Sequence, residues 1–208
     1  MNQMKALSVW QPWASLLPAT LNGARVKQFE TRGWATRYRG PIAIHAAAKS
    51  PRWVVAHDYD GLPAATLAAM GKALGIFPGD FGDRMFDKLP RGAIIATAEL
   101  VECWEITGND GRGEAYIHLD AETARDGRAR FRIVHGYEYR FGDWSPGRYA
   151  WQLEDMKLLP TPIPAKGAQG LWWWDERFMG IDLASGPDYS VLSDGSIRQN
   201  PNWRGSVD

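Results

Sequence analysis

The chain of 208 residues is poor in the groups that carry redox and metal chemistry, with one cysteine, Cys103, and four histidines, His45, His57, His118 and His135, far apart in sequence. A single thiol excludes an intrachain disulfide framework and any zinc site of several thiolates, and no His-x-x-x-His pair is present. No metal site is expected, and a reducing compartment suits such a chain. Long apolar runs are missing as well. The longest uncharged stretch, Ala6 to Ala24, is broken by Gln11, Pro12, Pro18 and Asn22, so it reads neither as a membrane span nor as a signal peptide. The expectation is a cytoplasmic protein without membrane contact. A P-loop is absent, and Gly108, Gly111 and Gly113 sit in a polar stretch, so no nucleotide cofactor is expected. Nor is there a net charge, because 24 basic residues balance 24 acidic ones.

What is present is the balance of a folded globular domain, 45% hydrophobic and 23% charged, with an unusual eleven tryptophans. The charges are also unevenly placed. Residues 1–52 carry eight cations (Lys5, Arg25, Lys27, Arg32, Arg37, Arg39, Lys49, Arg52) against one acid, Glu30. Such a sector steers anionic partners even in a neutral protein, unless acidic neighbours cover it in three dimensions. Trp10, Trp13, Trp34 and Tyr38 are interleaved with these cations. Cations for phosphates beside flat rings for bases are what single-stranded nucleic acid requires.

Met4–Val9 and Arg39–Ala47 read as strands, and Gly92–Cys103, apolar on both faces, reads as a central one. Pro12 opens a helix over Trp13–Leu21 that Pro18 should kink or shorten. Arg25–Thr31 reads as extended, Ser50-Pro51 as the start of a helix toward His57, and Ala64–Leu74 as a helix stopped by Gly75. Residues 105–147 suggest hairpins and loops, Tyr149–Leu159 returns as a strand, and residues beyond about 182 read as a loosely packed polar tail. About five strands with helices bunched early fit an α+β layout around a small, mostly antiparallel β-barrel, with a mixed open sheet as the alternative.

Several pieces, in order, resemble the ASCH domain family, relatives of the RNA-binding PUA domains. They are Leu7-Ser-Val-Trp-Gln-Pro-Trp-Ala14, Lys27-Gln-Phe-Glu-Thr-Arg32, Tyr38-Arg-Gly-Pro-Ile-Ala-Ile-His-Ala46, the Gly92–Cys103 strand, Gly147-Arg-Tyr-Ala-Trp151 and Pro162-Ile-Pro-Ala-Lys-Gly-Ala-Gln-Gly-Leu-Trp172. The family glycine two residues before the lysine is replaced by Arg25. The resemblance implies a PUA-like barrel over residues 1–175, with insertions at about 50–88 and 105–145 and a tail at 176–208. It also implies a cleft between barrel and first helix that takes RNA, single-stranded nucleic acid or a modified nucleoside.

Within that cleft, Glu30 and Arg32 share a strand face, whereas Lys27 joins them only if the chain bends. Lys27 then supplies a compact cation, Glu30 a hydrogen-bond acceptor or general base, and Arg32 a planar fork for phosphate. The alternative is a structural Glu30–Arg32 ion pair with Lys27 in solvent. Trp10, Trp13 and Trp34 are candidates for stacking, Gln11 and Gln169 for hydrogen bonds to a base, and Arg37, Arg39 and Lys166 for phosphate. His45 either serves acid–base work or is a hydrogen-bonded core residue.

Some relatives resemble small amidohydrolases of N4-acetylcytidine that use a lysine, a threonine three residues later and a distant glutamate. Here the lysine is Lys27, the threonine position holds Glu30, and Glu99 is the candidate for the third place. Thr31 lies one step off, on the opposite strand face. A Lys27–Glu30 pair acting on RNA without a covalent step is the second enzymatic option. Three readings thus stand: a nucleic-acid-binding module, a metal-independent hydrolase of RNA or an acylated nucleoside, and a protein-interaction domain using tryptophans such as Trp172, Trp173 and Trp174.

Overall fold

The computed structural model describes residues 3–55, 62–76, 86–175, 189–191 and 197–199. In chain order the described elements are β1 (Gln3–Val9), α1 (Trp13–Leu16), β2 (Thr20–Leu21), β3 (Ala24–Arg25), β4 (Phe29–Arg32), β5 (Gly40–Ala46), α2 (Pro51–Trp53) and α3 (Ala64–Ala73). They continue with β6 (Ala93–Asn109), β7 (Ala115–Leu119), β8 (Arg130–Val134), α4 (Gly136–Arg140), β9 (Tyr149–Pro164), β10 (Leu171–Asp175), β11 (Tyr189–Val191) and β12 (Ile197–Gln199). The described fold is mostly β and richer in strand than the α+β expectation. The count of about five strands was low because the stretch 105–147, read as hairpins and loops, adds β7 and β8 to the sheet next to β6, and Leu171–Asp175 adds β10 beside β1.

Eight strands form one sheet in the order β10-β1-β5-β6-β7-β8, with β9 beside β6 and β4 beside β9. β9 follows one edge of β6 from Ala93 to Glu105, while β5 and then β7 occupy the other edge. Register shifts interrupt β6 against β9 at three places and β5 against β6 between Ile44 and His45. Each shift adds local twist, so the sheet can curl in the manner of a PUA-like barrel. β1 and β5 run parallel, and the other pairings are antiparallel.

The curl gives β6 apolar neighbours on both sides, which accounts for its uninterrupted hydrophobic run. Ile95, Ala96, Ala98 and Leu100 enter the main core with Leu7, Ile42, Ile44 and Trp151, whereas Ile94 enters a smaller one with Ala6, Ala43, Ile163 and Trp174. A third cluster holds Phe29, Trp104, Ile106, Ile117 and Trp144.

α1 is shorter than expected, ending at Leu16 with the Leu17 N–H capping onto the Trp13 carbonyl. Pro18, which has no N–H to donate, follows at once. α3 matches its expected span, and Gly75, at φ +67°, takes the left-handed turn that stops it. The helix expected from Pro51 toward His57 is described only to Val55, and most of the expected tail also lies outside the described residues. No described helix is long and apolar enough to cross a membrane.

Candidate functional site

Lys27 and Gln28 stand just outside the β4–β9 ladder, which begins at Phe29 opposite Gln152. The Glu138 carboxylate of α4 accepts the N–H groups of Gln28 and Phe29, while the Gln28 carbonyl accepts the Leu153 N–H of β9. Lys27 lies on the Glu30 side. Its Nζ donates to the Phe29 carbonyl and lies 3.4 Å from Glu30 Oε2, while Arg32 Nη2 lies 3.3 Å from Glu30 Oε1. Arg32 Nη2 also donates to the Ser8 carbonyl at 2.8 Å, tying this trio to the end of β1.

Lys27 is 0% exposed and Glu30 7%, so this pair is interior. Here the structure corrects both readings of Lys27: the ammonium neither stands in solvent nor faces an external phosphate, and it holds Glu30 in place. Burial raises the Glu138 carboxyl above its ordinary range, opposed by the Lys27 charge, the two backbone donors and Arg25. The Arg32 side chain is the more open member, 24% exposed, and its Nε has no hydrogen-bond partner among the described residues.

Ser8 and His45 are neighbours across the parallel β1–β5 pair. His45 Nε2 lies 3.0 Å from the Ala165 carbonyl, which can only accept, so this nitrogen carries the proton. Nδ1 faces Ser8 Oγ at 3.1 Å. The hydroxyl also receives the Trp172 indole N–H at 3.2 Å and lies 2.9 Å from the Ala168 carbonyl, to which it can donate. With the proton on Nε2, Nδ1 is an acceptor, so the one Ser8 hydroxyl proton serves either Nδ1 or the Ala168 carbonyl. With the Trp172 N–H donating to the oxygen, Ser8 pins the segment 165–170. His45 is 2% exposed, and burial holds its imidazole below the usual histidine range, with the Ala165 hydrogen bond opposing the shift.

Gly167 makes this closure possible: a Cβ there would lie 2.3 Å from His45 Cε1 and 2.8 Å from Ser8 Oγ. A polar line therefore runs Lys27–Glu30–Arg32–Ser8–His45 and ends under the 165–170 segment, where Lys166 and Gln169 are exposed. Ser8 was missed in the sequence, since a lone serine in a strand has no spacing signal.

Other candidates fall elsewhere. Gln11 is wholly buried, its amide N–H groups going to Ser15 Oγ and the Pro90 carbonyl and its oxygen to the Ser15 N–H, so it anchors α1 and offers nothing to a base. Trp13 belongs to the main core. Arg39 is occupied by Glu102 and the carbonyls of Thr36, Tyr38 and Thr123, which removes it from the set of phosphate donors. Glu99 sits beside Tyr38, whose phenol is raised by burial and then by this carboxylate, and forms no hydrogen bond or ion pair with Lys27 or Glu30. Its strand neighbours Ala98 and Leu100 point into the main core, so its own side chain faces the other way. Trp34 is exposed and set edge-on against Trp151, and Arg37 is exposed nearby. Trp10 is also exposed.

A hollow of about 530 Å³ lies apart from this line, bordered by Asn109, Arg112, Arg140 and Trp144 among others. The line itself offers a carboxylate fixed between two cations. That combination suits holding an anion or a base edge.

No family model matches the chain. It is similar to human Activating signal cointegrator 1, with 35% identity over 97 residues, which make up 47% of this chain and 14% of that protein. The match thus covers about half of this chain and a small part of its relative.

Proposed function

We propose that residues 1–175 form an ASCH-type, PUA-like module that binds single-stranded RNA or a modified nucleotide. The contact surface lies where β1 and β5 end and the 165–170 segment crosses them. The observation that carries this reading is the polar line Lys27–Glu30–Arg32–Ser8–His45, which with the His45–Ala165 hydrogen bond joins the resemblance motifs of four separate chain segments. The similarity to part of human Activating signal cointegrator 1, an ASCH-containing protein, supports the same module. Lys27 and Glu30 set the geometry from within, Arg32 carries the unsatisfied donor, and Lys166, Arg37, Gln169, Trp10 and Trp34 meet the strand.

The test is binding of a labelled single-stranded RNA across a salt series. Affinity falls as salt rises, and Lys166→Ala and Arg32→Gln both weaken it. Binding that is indifferent to salt removes phosphate recognition and with it this reading.

A second reading is hydrolysis of RNA or of N4-acetylcytidine, favoured by one observation, the 3.4 Å approach of Lys27 to Glu30. A cation beside a general base can stabilise charge developing on an oxygen. Turnover of either substrate that Glu30→Gln abolishes while the variant remains folded at the assay temperature, as far-UV circular dichroism reads it, supports this reading, and no turnover of either leaves binding alone.

A further inference from the structure

β8 stands at an end of the large sheet, and among the described residues it pairs with β7 alone. Its other edge presents the N–H and C=O groups of alternate residues with no strand beside them. The loop that precedes β8 is tied back toward β6, where Glu102 accepts the Arg125 N–H, and toward Arg39, which donates to the Thr123 carbonyl. The two faces of the strand differ. Arg130 and Arg132 lie on the side of the third core cluster, each with its guanidinium carbon 5.7 Å from the Trp104 ring centroid, and Arg132 is equally far from that of Phe29. Phe131 and Ile133 lie on the opposite side, 60% and 47% exposed, with the Phe131 ring stacked on Tyr116 at 6.2 Å. Arg130 already holds Glu102 and Asp126, whereas Arg132, and Arg128 just ahead of the strand, have no acidic partner among the described residues. Charge alone would guard a sheet edge, but here two large apolar side chains stand exposed beside the arginines.

We propose that β8 is the docking edge for an extended segment of another protein in which acidic and apolar residues alternate, added to the sheet as its next strand. Strand addition supplies main-chain hydrogen bonds, and the pleat sends successive side chains of the incoming segment to opposite faces. Acids on one face meet Arg132 and Arg128, and apolar residues on the other meet Phe131 and Ile133. The same split argues against an RNA strand at this edge. Nucleic acid needs its cations and rings on one side, and β8 places them on two. It argues against a second copy of this chain as well. An antiparallel β8–β8 pair centred on Phe131 sets Arg130 against Arg132, and one centred on Arg132 sets that residue against its own copy, so like charges stand directly opposite. The edge belongs to the 105–145 insertion and is independent of the nucleic-acid reading.

The experiment uses the full chain with a fluorescein-labelled peptide of alternating glutamate and valine, a block isomer of the same composition, and a single-stranded oligoadenylate. Anisotropy reads binding, and hydrogen exchange reads the β8 amides. The alternating peptide binds about ten-fold more tightly than the block isomer and slows exchange within residues 130–134. Arg132→Glu weakens it about ten-fold and transfers the preference to a lysine–valine peptide. Arg128→Glu, at an exposed position outside the strand, shifts the preference the same way and carries the test if the first variant fails to fold. Equal binding of the two isomers reduces the contact to net charge and overturns strand addition, and so does binding of neither. Slowed exchange in 130–134 with oligoadenylate but not with the peptide overturns the proposal and makes the edge a nucleic-acid surface. A dimer in sedimentation velocity that Phe131→Ser dissociates overturns it in favour of a self-interface.

Discussion

At the scale of single residues, the interior Lys27–Glu30 pair is where one change has the largest effect. Glu30→Gln leaves a buried ammonium facing only the Phe29 carbonyl and the more distant Glu138, and removing one partner of a buried pair typically costs about 3–5 kcal/mol. Urea midpoints of the two proteins measure it, and a loss below about 1 kcal/mol means the pair is solvated in solution. The histidine gives a pH signature. His45 has its folded pKa depressed, so its contribution to stability is complete above about pH 6.5 and is lost as pH falls from there toward the folded value. Glu138 works in the opposite sense, because a raised carboxyl pKa makes the folded state take up protons first as pH falls. The difference between wild type and His45→Gln isolates the imidazole: it shrinks between pH 8 and 5 if His45 titrates this way, and stays constant if it does not. None of this was legible in the sequence, since the burial of Lys27 depends on Glu138, which lies more than a hundred residues away in the chain, and the setting of His45 on a carbonyl from the far end of β9.

Among the elements, those governed by local rules were legible and those governed by partners were not. The alanine-rich α3 with its glycine stop and the doubly apolar start of β6 were read from composition and period alone. The Arg25–Thr31 stretch was read as continuous, yet β4 begins only at Phe29, because the preceding backbone donors go to Glu138 and not to β9. In the 165–170 segment only Lys166 and Gln169 were singled out; the glycine between them, Gly167, allows close approach to a ring from another strand. Gly167→Ala is therefore overpacked against His45 and Ser8 and costs about 1–3 kcal/mol, while Gly170→Ala, with no atom within 4 Å of the added carbon, is limited by its φ of +69° alone. Thermal melts of the two variants compare these mechanisms. A larger loss at Gly170 contradicts the close packing at Gly167.

For the molecule as a whole, the cationic first quarter read from the sequence is partly neutralised within the fold. Arg39 is held by Glu102, Arg32 and Lys27 share Glu30, and Arg25 feels Glu138 and Glu154. If Arg32, Arg37 and Lys166 are what a strand meets, log affinity for single-stranded RNA falls against log salt with a slope of about −2. Eight free cations give a slope nearer about −5 to −6, and a measured value in that range shows that the ion pairs open on binding. The resemblance led to the expectation that these motifs meet in one cleft. The contacts that join them, Arg32 to the Ser8 carbonyl and His45 to Ala165, depend on pairings between distant segments and were not legible.

β1 lies between β5 and β10, and 160 residues separate Ser8 from Ala168. At ribosomal speeds of about 5–20 residues per second, the hydroxyl at the end of β1 waits roughly 10–30 s for the carbonyl that will hold it. During synthesis the outer edge of β1 has no partner. In a nascent chain the Ser8 hydroxyl and the His45 ring consequently stay without their 165–170 partners until nearly all of the sheet has emerged.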